Sequence, residues 1–279
     1  MNHFERPTRR EETLVNFREA TEKIKSLSQY KINPEDFSDL YNPANIKSDQ
    51  ELADRLRRKF DIESERDENL KEAKKLAEIL EYIVYDQGES SNWFGEYAYM
   101  IKTSDYDDFK NGVDVVAEFD LGDSVSRTGL VIDATFGHSP RKKIEKIKSE
   151  ISQGINGYVK YFESGDGNYR GELRGVPKIF VGSDPENTKK LINLWISENH
   201  DDKKSLADHP IQVNFLKQVI LQCEYFAEFA KEMGQDGIAD SYSRLGRVIQ
   251  KIWIEKGCEE KVLLEDEFMD ACETYFRGQ

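Results

Sequence analysis

Two aspartates on neighbouring strand-like segments are the first residues whose type and spacing suggest chemistry. Asp114 lies near the start of residues 113–119, and Asp133 lies within residues 129–136. Both segments are rich in β-branched and aromatic residues and are flanked by Gly or Asp, which predicts β-strands. The segment between them has the right length to return the chain antiparallel. The two carboxylates are therefore expected close together, where they could hold one divalent cation.

Asp133 is notable because its strand is otherwise apolar. A lone buried carboxylate costs free energy unless it is paired, hydrogen-bonded or bound to a metal. A second interpretation is structural: the strand ends at Asp133 and the carboxylate caps a nearby amide. The second acid, Asp114, favours the metal-site interpretation.

Composition limits the possible classes of protein. The 279 residues include 54 acidic and 40 basic ones, giving a net charge of −14 and a pI near 4.9. This argues against a protein that coats nucleic acid with its whole surface. Residues 139–160 are an exception, with six basic and two acidic residues directly after the candidate site.

Cysteine usage and the absence of an apolar leader bear on the compartment. The cysteines are few, odd in number and widely spaced, which predicts reduced, buried thiols rather than disulfides or a zinc site. No apolar run is long enough to span a membrane. We expect a cytoplasmic protein. The three thiols are those of Cys223, Cys258 and Cys272.

Helical and strand patterns divide the chain into three parts. Residues 1–67 are predicted to form an N-terminal helical arm, 68–200 an α/β core, and 201–279 a C-terminal helical bundle. Apolar residues at helical spacing predict a helix over 68–85, with Glu81 near the edge of the apolar stripe. The acidic residues around 105–108 are interpreted as a solvated loop.

The core is predicted to continue through alternating elements. Ser139-Pro140 is typical of a helix start, with Ser as the cap and Pro as the first helical residue. Glycines around residue 167 favour a hairpin tip, since no phosphate-binding glycine motif occurs. The predicted elements are strands at 96–103, 113–119, 129–136, 157–162 and 176–181, and helices at 140–153 and 185–198.

The order of helix, three strands, basic helix and strand resembles the core of the PD-(D/E)XK nuclease superfamily, the restriction-endonuclease-like αβββαβ fold. In that family an Asp opening the second strand and the acid of a D/E-x-K triplet on the third strand hold Mg²⁺. The lysine polarises or positions the attacking water, and a Glu on the first helix often completes the site. The resemblance covers roughly residues 68–182 and rests on element order and two acids.

Matched residue by residue, the resemblance implies Asp114 and Asp133 as ligands of Mg²⁺ or Mn²⁺. Glu81 or Glu96 would correspond to the preceding glutamate. Thr135 occupies the position of the lysine, because the triplet reads Asp-Ala-Thr. Known variants of the fold move the lysine to an adjacent helix or strand. The residues selected for that role are Lys142, Lys143 and Lys160.

Three hypotheses follow. The first is a metal-dependent nuclease that hydrolyses phosphodiester bonds, in DNA by preference, and holds nucleic acid through the basic helix 140–153. The second is a catalytically inactive nuclease-fold module for binding or scaffolding, favoured by Thr135 and the negative net charge. The third is an unrelated α+β protein whose acids are structural. The C-terminal helical region is a candidate surface for a protein partner or self-association, and no membrane contact is expected.

Overall fold

The computed structural model describes residues 13–119, 128–136 and 139–278, and for residues 128–136 it describes the backbone alone. The described chain is an α+β fold, as the sequence predicts. Its strands are β1 Ala98–Lys102, β2 Val115–Phe119, β3 Thr128–Phe136, β4 Gly157–Glu163, β5 Arg170–Val176 and β6 Lys178–Ser183. Its helices are α1 Phe17–Leu27, α2 Pro43–Ser64, α3 Glu68–Ser90, α4 Arg141–Ser152, α5 Pro185–Ile196, α6 His200–Ala207, α7 Ile211–Glu232, α8 Asp236–Glu255 and α9 Glu267–Arg277.

Four strands form the main sheet in the order β1-β2-β3-β6. The pairs β1–β2 and β2–β3 are antiparallel, and β3–β6 is parallel. A parallel neighbour requires a crossover, and α4 with the β4–β5 ribbon lies between β3 and β6 in sequence. Helix α3 precedes β1, so the elements of the sheet follow the order α3-β1-β2-β3-α4-β6.

The strand that follows α4 is not the fourth strand of the sheet, which corrects the expectation for residues 157–162. β4 pairs instead with β5 in a separate two-stranded sheet. The expected strand 176–181 is also divided, because residue 176 ends β5 and the main-sheet strand β6 begins at Lys178. The predicted hairpin tip near residue 167 does connect β4 to β5. The alternation of apolar and polar residues predicts a strand but not the sheet that the strand joins. The prediction that residues 157–162 belong to the main sheet was wrong for this reason.

Apolar packing ties the layers together. One buried cluster includes Leu80 of α3, Val115 of β2, Phe180 of β6 and Phe215 of α7, so α3 and the C-terminal helices share a core with the sheet. On the opposite face, a smaller cluster around Val116 joins β2 to the β4–β5 ribbon. The three cysteines are free and buried, as expected. The proposed domain boundaries at residues 67 and 200 stay predictions.

Glutamine side chains cover the outer edge of β6. Gln222 of α7 accepts a hydrogen bond from the Phe180 N–H (3.0 Å) and donates one to the Phe180 carbonyl (2.7 Å). Gln218, one turn earlier, makes the same pair of bonds with Gly182 at 2.9 Å each. The Tyr242 hydroxyl accepts from the N–H of Lys178 (3.3 Å) and donates to its carbonyl (2.7 Å). Backbone groups two residues apart are therefore satisfied by side chains of the helical bundle.

The other outer edge, on β1, is also covered. The Met100 N–H donates to a carboxylate oxygen of Glu89, a residue in the last turn of α3. The Lys102 carbonyl accepts from the N–H of Ile32 at 3.1 Å. Both outer strands of the main sheet thus meet other parts of the same chain.

Two helix boundaries have local causes. Helix α2 begins at Pro43, since Asn42 caps it and proline suits the first helical position. Helix α3 continues to Ser90, beyond the expected end at residue 85. The added turn of α3 packs directly against β1, and Gly88 leaves room for this contact. A Cβ at position 88 would lie 2.5 Å from the Met100 side chain. The glycine allows helix and strand to approach closely.

No helix within the described ranges combines the length and the apolar character needed to cross a membrane.

Candidate functional site

A cleft of about 1020 Å³ opens at the ends of β1 and β2. Residues of α2, α3, α4 and the acidic turn (residues 105–111) line it. Its basic side chains are those of Lys31, Arg57, Lys74, Lys110, Lys143 and Lys146. Acidic side chains alternate with these, so the cleft is strongly polar but of mixed charge.

Three carboxylates meet in this cleft. Ligand oxygens of Glu81, Asp108 and Asp114 all lie within 4.8 Å of one another. Glu81 is contributed by the middle of α3, Asp108 by the acidic turn, and Asp114 by the residue before β2. We call these three residues the carboxylate cluster. Asp114 and Glu81 were both predicted as site residues, and the fold brings them together.

The acidic turn is a built element and not a solvated loop, so that interpretation of the sequence was wrong. It contains a π-helical turn, Asp107–Asn111, which ends at Gly112 in the left-handed region (φ 66°). The buried Asp107 carboxylate accepts four hydrogen bonds. Its donors are the Ser104 hydroxyl (2.8 Å), the Asn111 amide (2.7 Å) and the backbone N–H groups of Lys160 (2.7 Å) and Tyr161 (3.1 Å). These bonds anchor the turn to β4 and fix the position of Asp108.

A buried lysine lies against the carboxylate cluster. Lys102, at the end of β1, is 1 % exposed. Its ammonium group forms an ion pair with Glu81 and donates to the Asp114 carbonyl oxygen at 3.1 Å. It also lies 5.0 Å from the centre of the Tyr82 ring. Burial lowers the pKa of Lys102 to about 8, because desolvation disfavours the charged form.

A second group of charges borders the cluster. The Lys31 ammonium bonds Asp105 at 2.5 Å and Asp108 at 3.1 Å, and Arg57 pairs with Asp105. Burial alone would lower the pKa of Lys31, but the two aspartates raise it above its usual value. Burial likewise acts to raise the pKa of Asp105, but Lys31 and Arg57 bring it below its usual value. These groups are therefore held in their charged forms.

The donor set of the carboxylate cluster suits a hard divalent cation. Carboxylate oxygens are the preferred ligands of Mg²⁺ and Ca²⁺, at about 2.1 Å and about 2.4 Å respectively. Two oxygens on one ion are thus separated by at most about 4.2 Å for Mg²⁺ and about 5 Å for Ca²⁺. The ligand oxygens of the three carboxylates lie within 4.8 Å of one another, so small adjustments of their side chains would bring them onto either ion.

Asp133 and Thr135 were predicted to share this site, and their side chains lie outside the described residues. The backbone of β3 is described. Val115 of β2 pairs with Ile132 of β3, so one further step of the same register brings Asp114 opposite Asp133. The proximity of the two backbone positions agrees with the expectation that their strands are antiparallel neighbours.

Of the other predicted site residues, one lines the cleft and the rest lie outside its lining. Glu96 is exposed and precedes β1, whereas Lys102 and the cleft lie at the far end of that strand. Five residues of strand separate the two ends by about 16 Å. Lys160 lies outside the cleft lining and bonds Asp49 of α2 at 2.5 Å. Lys143 of α4 does line the cleft, and Lys142 is exposed outside the lining.

Three residues of the site were missed by sequence reasoning. Lys102 had a signal, since it continues the alternate buried positions Ala98 and Met100 of β1. Lys146 follows Lys143 at a spacing of three on a helix, which places both on one face. Asp108 had no local signal, because its partner Lys31 is 77 residues away in sequence.

Comparison with known proteins found no matching family model, no matching curated protein and no matching solved structure.

Proposed function

We propose that the cleft is the active site of a divalent-metal-dependent, nuclease-like hydrolase that acts on phosphodiester bonds. The observation that carries this proposal is the convergence of Glu81, Asp108 and Asp114 beside the buried Lys102 in a cleft bordered by basic side chains. A bound Mg²⁺ or Mn²⁺ would supply charge neutralisation and a more acidic water.

The order of elements supports the same proposal. Helix α3, strands β1 to β3, helix α4 and strand β6 follow the αβββαβ order of the PD-(D/E)XK core, with β6 parallel to β3 as the crossover demands. On this proposal the β4–β5 ribbon is an insertion before the last strand. Asp114 opens the second strand and Asp133 lies on the third, where the family has its two acids.

We assign the role of the missing triplet lysine to Lys102. It lies on β1, next to the strand of Asp114, and its ammonium group contacts both Glu81 and the Asp114 backbone. From there it can orient a water beside the carboxylate cluster. Lys143 and Lys146 of α4 line the same cleft and are suited to contact phosphate oxygens.

Formal charge favours a cation at the carboxylate cluster. Glu81, Asp108 and Asp114 carry three negative charges, which the single positive charge of Lys102 offsets only in part. A divalent cation would offset the remaining negative charge and favour the approach of an anionic phosphodiester.

A second function is favoured by the ion pair between Lys102 and Glu81. An ammonium group that already offsets part of the negative charge of the cluster can take the structural place of a metal ion. In that case the protein is a catalytically inactive nuclease-fold module, and its binding of a nucleic acid or protein partner is independent of metal.

Calorimetric titration with Mg²⁺ and Mn²⁺, with parallel cleavage assays on single- and double-stranded DNA and RNA, tests the proposal. Wild type is expected to bind metal and cut, and Asp114→Asn and Asp133→Asn to lose both. Glu81→Gln is expected to weaken metal binding, whereas Glu96→Gln, at the other end of β1, serves as the matched control and should behave as wild type.

Cleavage by Asp114→Asn at the wild-type rate would show that the proposal is wrong. Partner binding by wild type in EDTA, with no cleavage in either metal, would favour the inactive module instead.

A further inference from the structure

An aromatic pair forms part of the cleft wall. Phe60 of α2 and Phe109 of the acidic turn stack with ring centres 6.1 Å apart and planes 26° apart. The Arg57 guanidinium lies 5.2 Å from the centre of the Phe109 ring. All three residues line the cleft, and we call them the aromatic wall.

Phe60 is 45 % exposed although it is a large apolar side chain. Phe60 continues the seven-residue spacing of the buried residues Ile46 and Ala53, so it lies on the packing face of α2, but at the end of the helix that borders the cleft. Leaving a phenylalanine ring half in water forgoes part of the ~2 kcal/mol that full burial would give. The exposed ring is therefore available to a ligand that enters the cleft.

The aromatic wall is directly connected to the carboxylate cluster. Asp108 and Phe109 are consecutive residues, whose Cα atoms are about 3.8 Å apart across a trans peptide. Arg57 also pairs with Asp105 of the same turn. A chain-like ligand whose own backbone lies at the carboxylate cluster can thus place an adjacent side group against the aromatic wall.

From this arrangement we infer that the cleft takes single-stranded nucleic acid and that an unpaired base stacks on the exposed ring of Phe60. The inference rests on the proposed function, which assigns the cleft to a phosphodiester. Stacking on an aromatic face requires a base whose own face is free, as in single strands. Bases within a duplex are covered by their neighbours.

The charge of the cleft also favours a single strand. Its lining carries six basic and seven acidic side chains, so it lacks the continuous positive surface that follows a duplex backbone. Lys110 and Lys146 form no ion pair within the described part of the chain, and their ammonium groups are available for isolated phosphates. We expect a shallow dependence of affinity on salt, typical of one or two phosphate contacts.

Fluorescence anisotropy with labelled pyrimidine oligonucleotides tests the inference. The probes are single-stranded DNA, single-stranded RNA and a blunt DNA duplex, each measured in EDTA and in Mg²⁺. Wild type is expected to bind a single strand at least tenfold more tightly than the duplex, and the DNA and RNA arms identify the sugar. Phe60→Ala should weaken single-strand binding about tenfold, the usual effect of losing one stacked base.

Two further variants separate stacking from other effects. Phe60→Trp preserves the stacking surface, so its affinity should match wild type and its fluorescence should be quenched by the single strand. Ile62→Ala is the matched control, since Ile62 is an exposed apolar residue of the same helix outside the cleft lining. Equal affinity of Phe60→Ala and wild type, or tighter binding of the duplex, would overturn the inference.

The outcomes distinguish this inference from the proposed function. Phe60-dependent binding of a single strand without cleavage in any metal supports the inference and refutes the hydrolase. Metal-dependent cleavage that Phe60→Ala leaves unchanged refutes the inference and supports the hydrolase. Absence of single-strand binding by wild type in both buffers overturns the inference.

Discussion

The ammonium group of Lys102 is buried in an ion pair with Glu81, at the point where α3 crosses the end of β1. The two functions considered above assign different roles to this ion pair. A lysine that assists hydrolysis must share the carboxylates with a cation, whereas a lysine that replaces the cation holds them alone. The stability of a variant without the ammonium group separates these roles.

Lys102→Met is expected to lower the free energy of unfolding by about 3 kcal/mol in EDTA, because it leaves Glu81 without its buried partner. If the cluster binds metal, millimolar Mg²⁺ or Ca²⁺ should restore most of this loss. Thermal unfolding followed by circular dichroism measures both effects. Lys160→Met is the matched control, since it breaks the pair with Asp49 outside the cleft and should show no metal rescue. A loss in Lys102→Met that metal leaves unchanged would contradict a cation site.

Asp107→Asn is expected to destabilise the protein by about 2–3 kcal/mol. The substituted amide presents a donor where the carboxylate accepted from backbone N–H groups of β4, so at least one buried donor is left unsatisfied. Because the acidic turn also carries Asp108, metal affinity should fall as well. Urea unfolding and calorimetry measure the two effects. Asp201→Asn, an exposed residue of α6, should change neither, and equal stability of Asp107→Asn and wild type would refute the anchoring role.

His209 predicts a dependence of stability on pH. Burial lowers its pKa from 6.5 to about 4, and its Nδ1 accepts the Ile211 N–H at 3.2 Å, which requires an unprotonated nitrogen. At pH values between about 4 and 6.5, His209 binds a proton in the unfolded chain but not in the folded chain. The contribution of this group to stability is therefore full above pH 6.5 and is lost as the pH falls toward 4. We expect a loss of about 2 kcal/mol, allowing for partial exposure.

His209→Asn keeps an acceptor for Ile211 but cannot titrate. Urea unfolding of both proteins at several pH values should show a smaller loss of stability in the variant as the pH falls from about 6.5 to about 4. Identical pH profiles would exclude His209 as the source.

Gln222→Leu is expected to lower stability by about 2–4 kcal/mol, since it leaves both the N–H and the carbonyl of Phe180 buried without partners. Denaturant unfolding measures the loss. Gln250→Leu on the exposed face of α8 makes the same chemical change at a position outside the sheet contact and should cost less than about 0.5 kcal/mol. A small effect of Gln222→Leu would mean that water replaces the amide at this edge.

Local patterns in the sequence were sufficient for much of the fold. The apolar stripe of α3, the strands carrying Asp114 and Asp133, and the basic helix α4 all follow from periodicity, which depends only on neighbouring residues. The pairing of β4 with β5 did not follow, because the choice between two sheets depends on tertiary packing. Helix α3 extends beyond its expected end also because of tertiary packing, since Gly88 packs against Met100, which is distant from most of the helix in sequence.

The candidate site was predictable only in part. Asp114 and Glu81 were found because each is an acid at an informative position of a predicted element. Asp108 and Lys102 were missed because their roles depend on each other and on Lys31, and charged side chains in a polar chain are solvated by default. Nothing within a few residues of Asp108 shows that a lysine of the N-terminal arm binds it.

The covered edges of the main sheet restrict how this protein can recruit others. A partner peptide that joined as a fifth strand would have to displace the glutamines of α7 from β6, or Glu89 and the Ile32 backbone from β1. Strand addition to the main sheet is therefore blocked on both sides. A binding partner would instead use the separate β4–β5 ribbon, helical surfaces or the cleft, and the same shielding protects the main sheet from edge-to-edge aggregation.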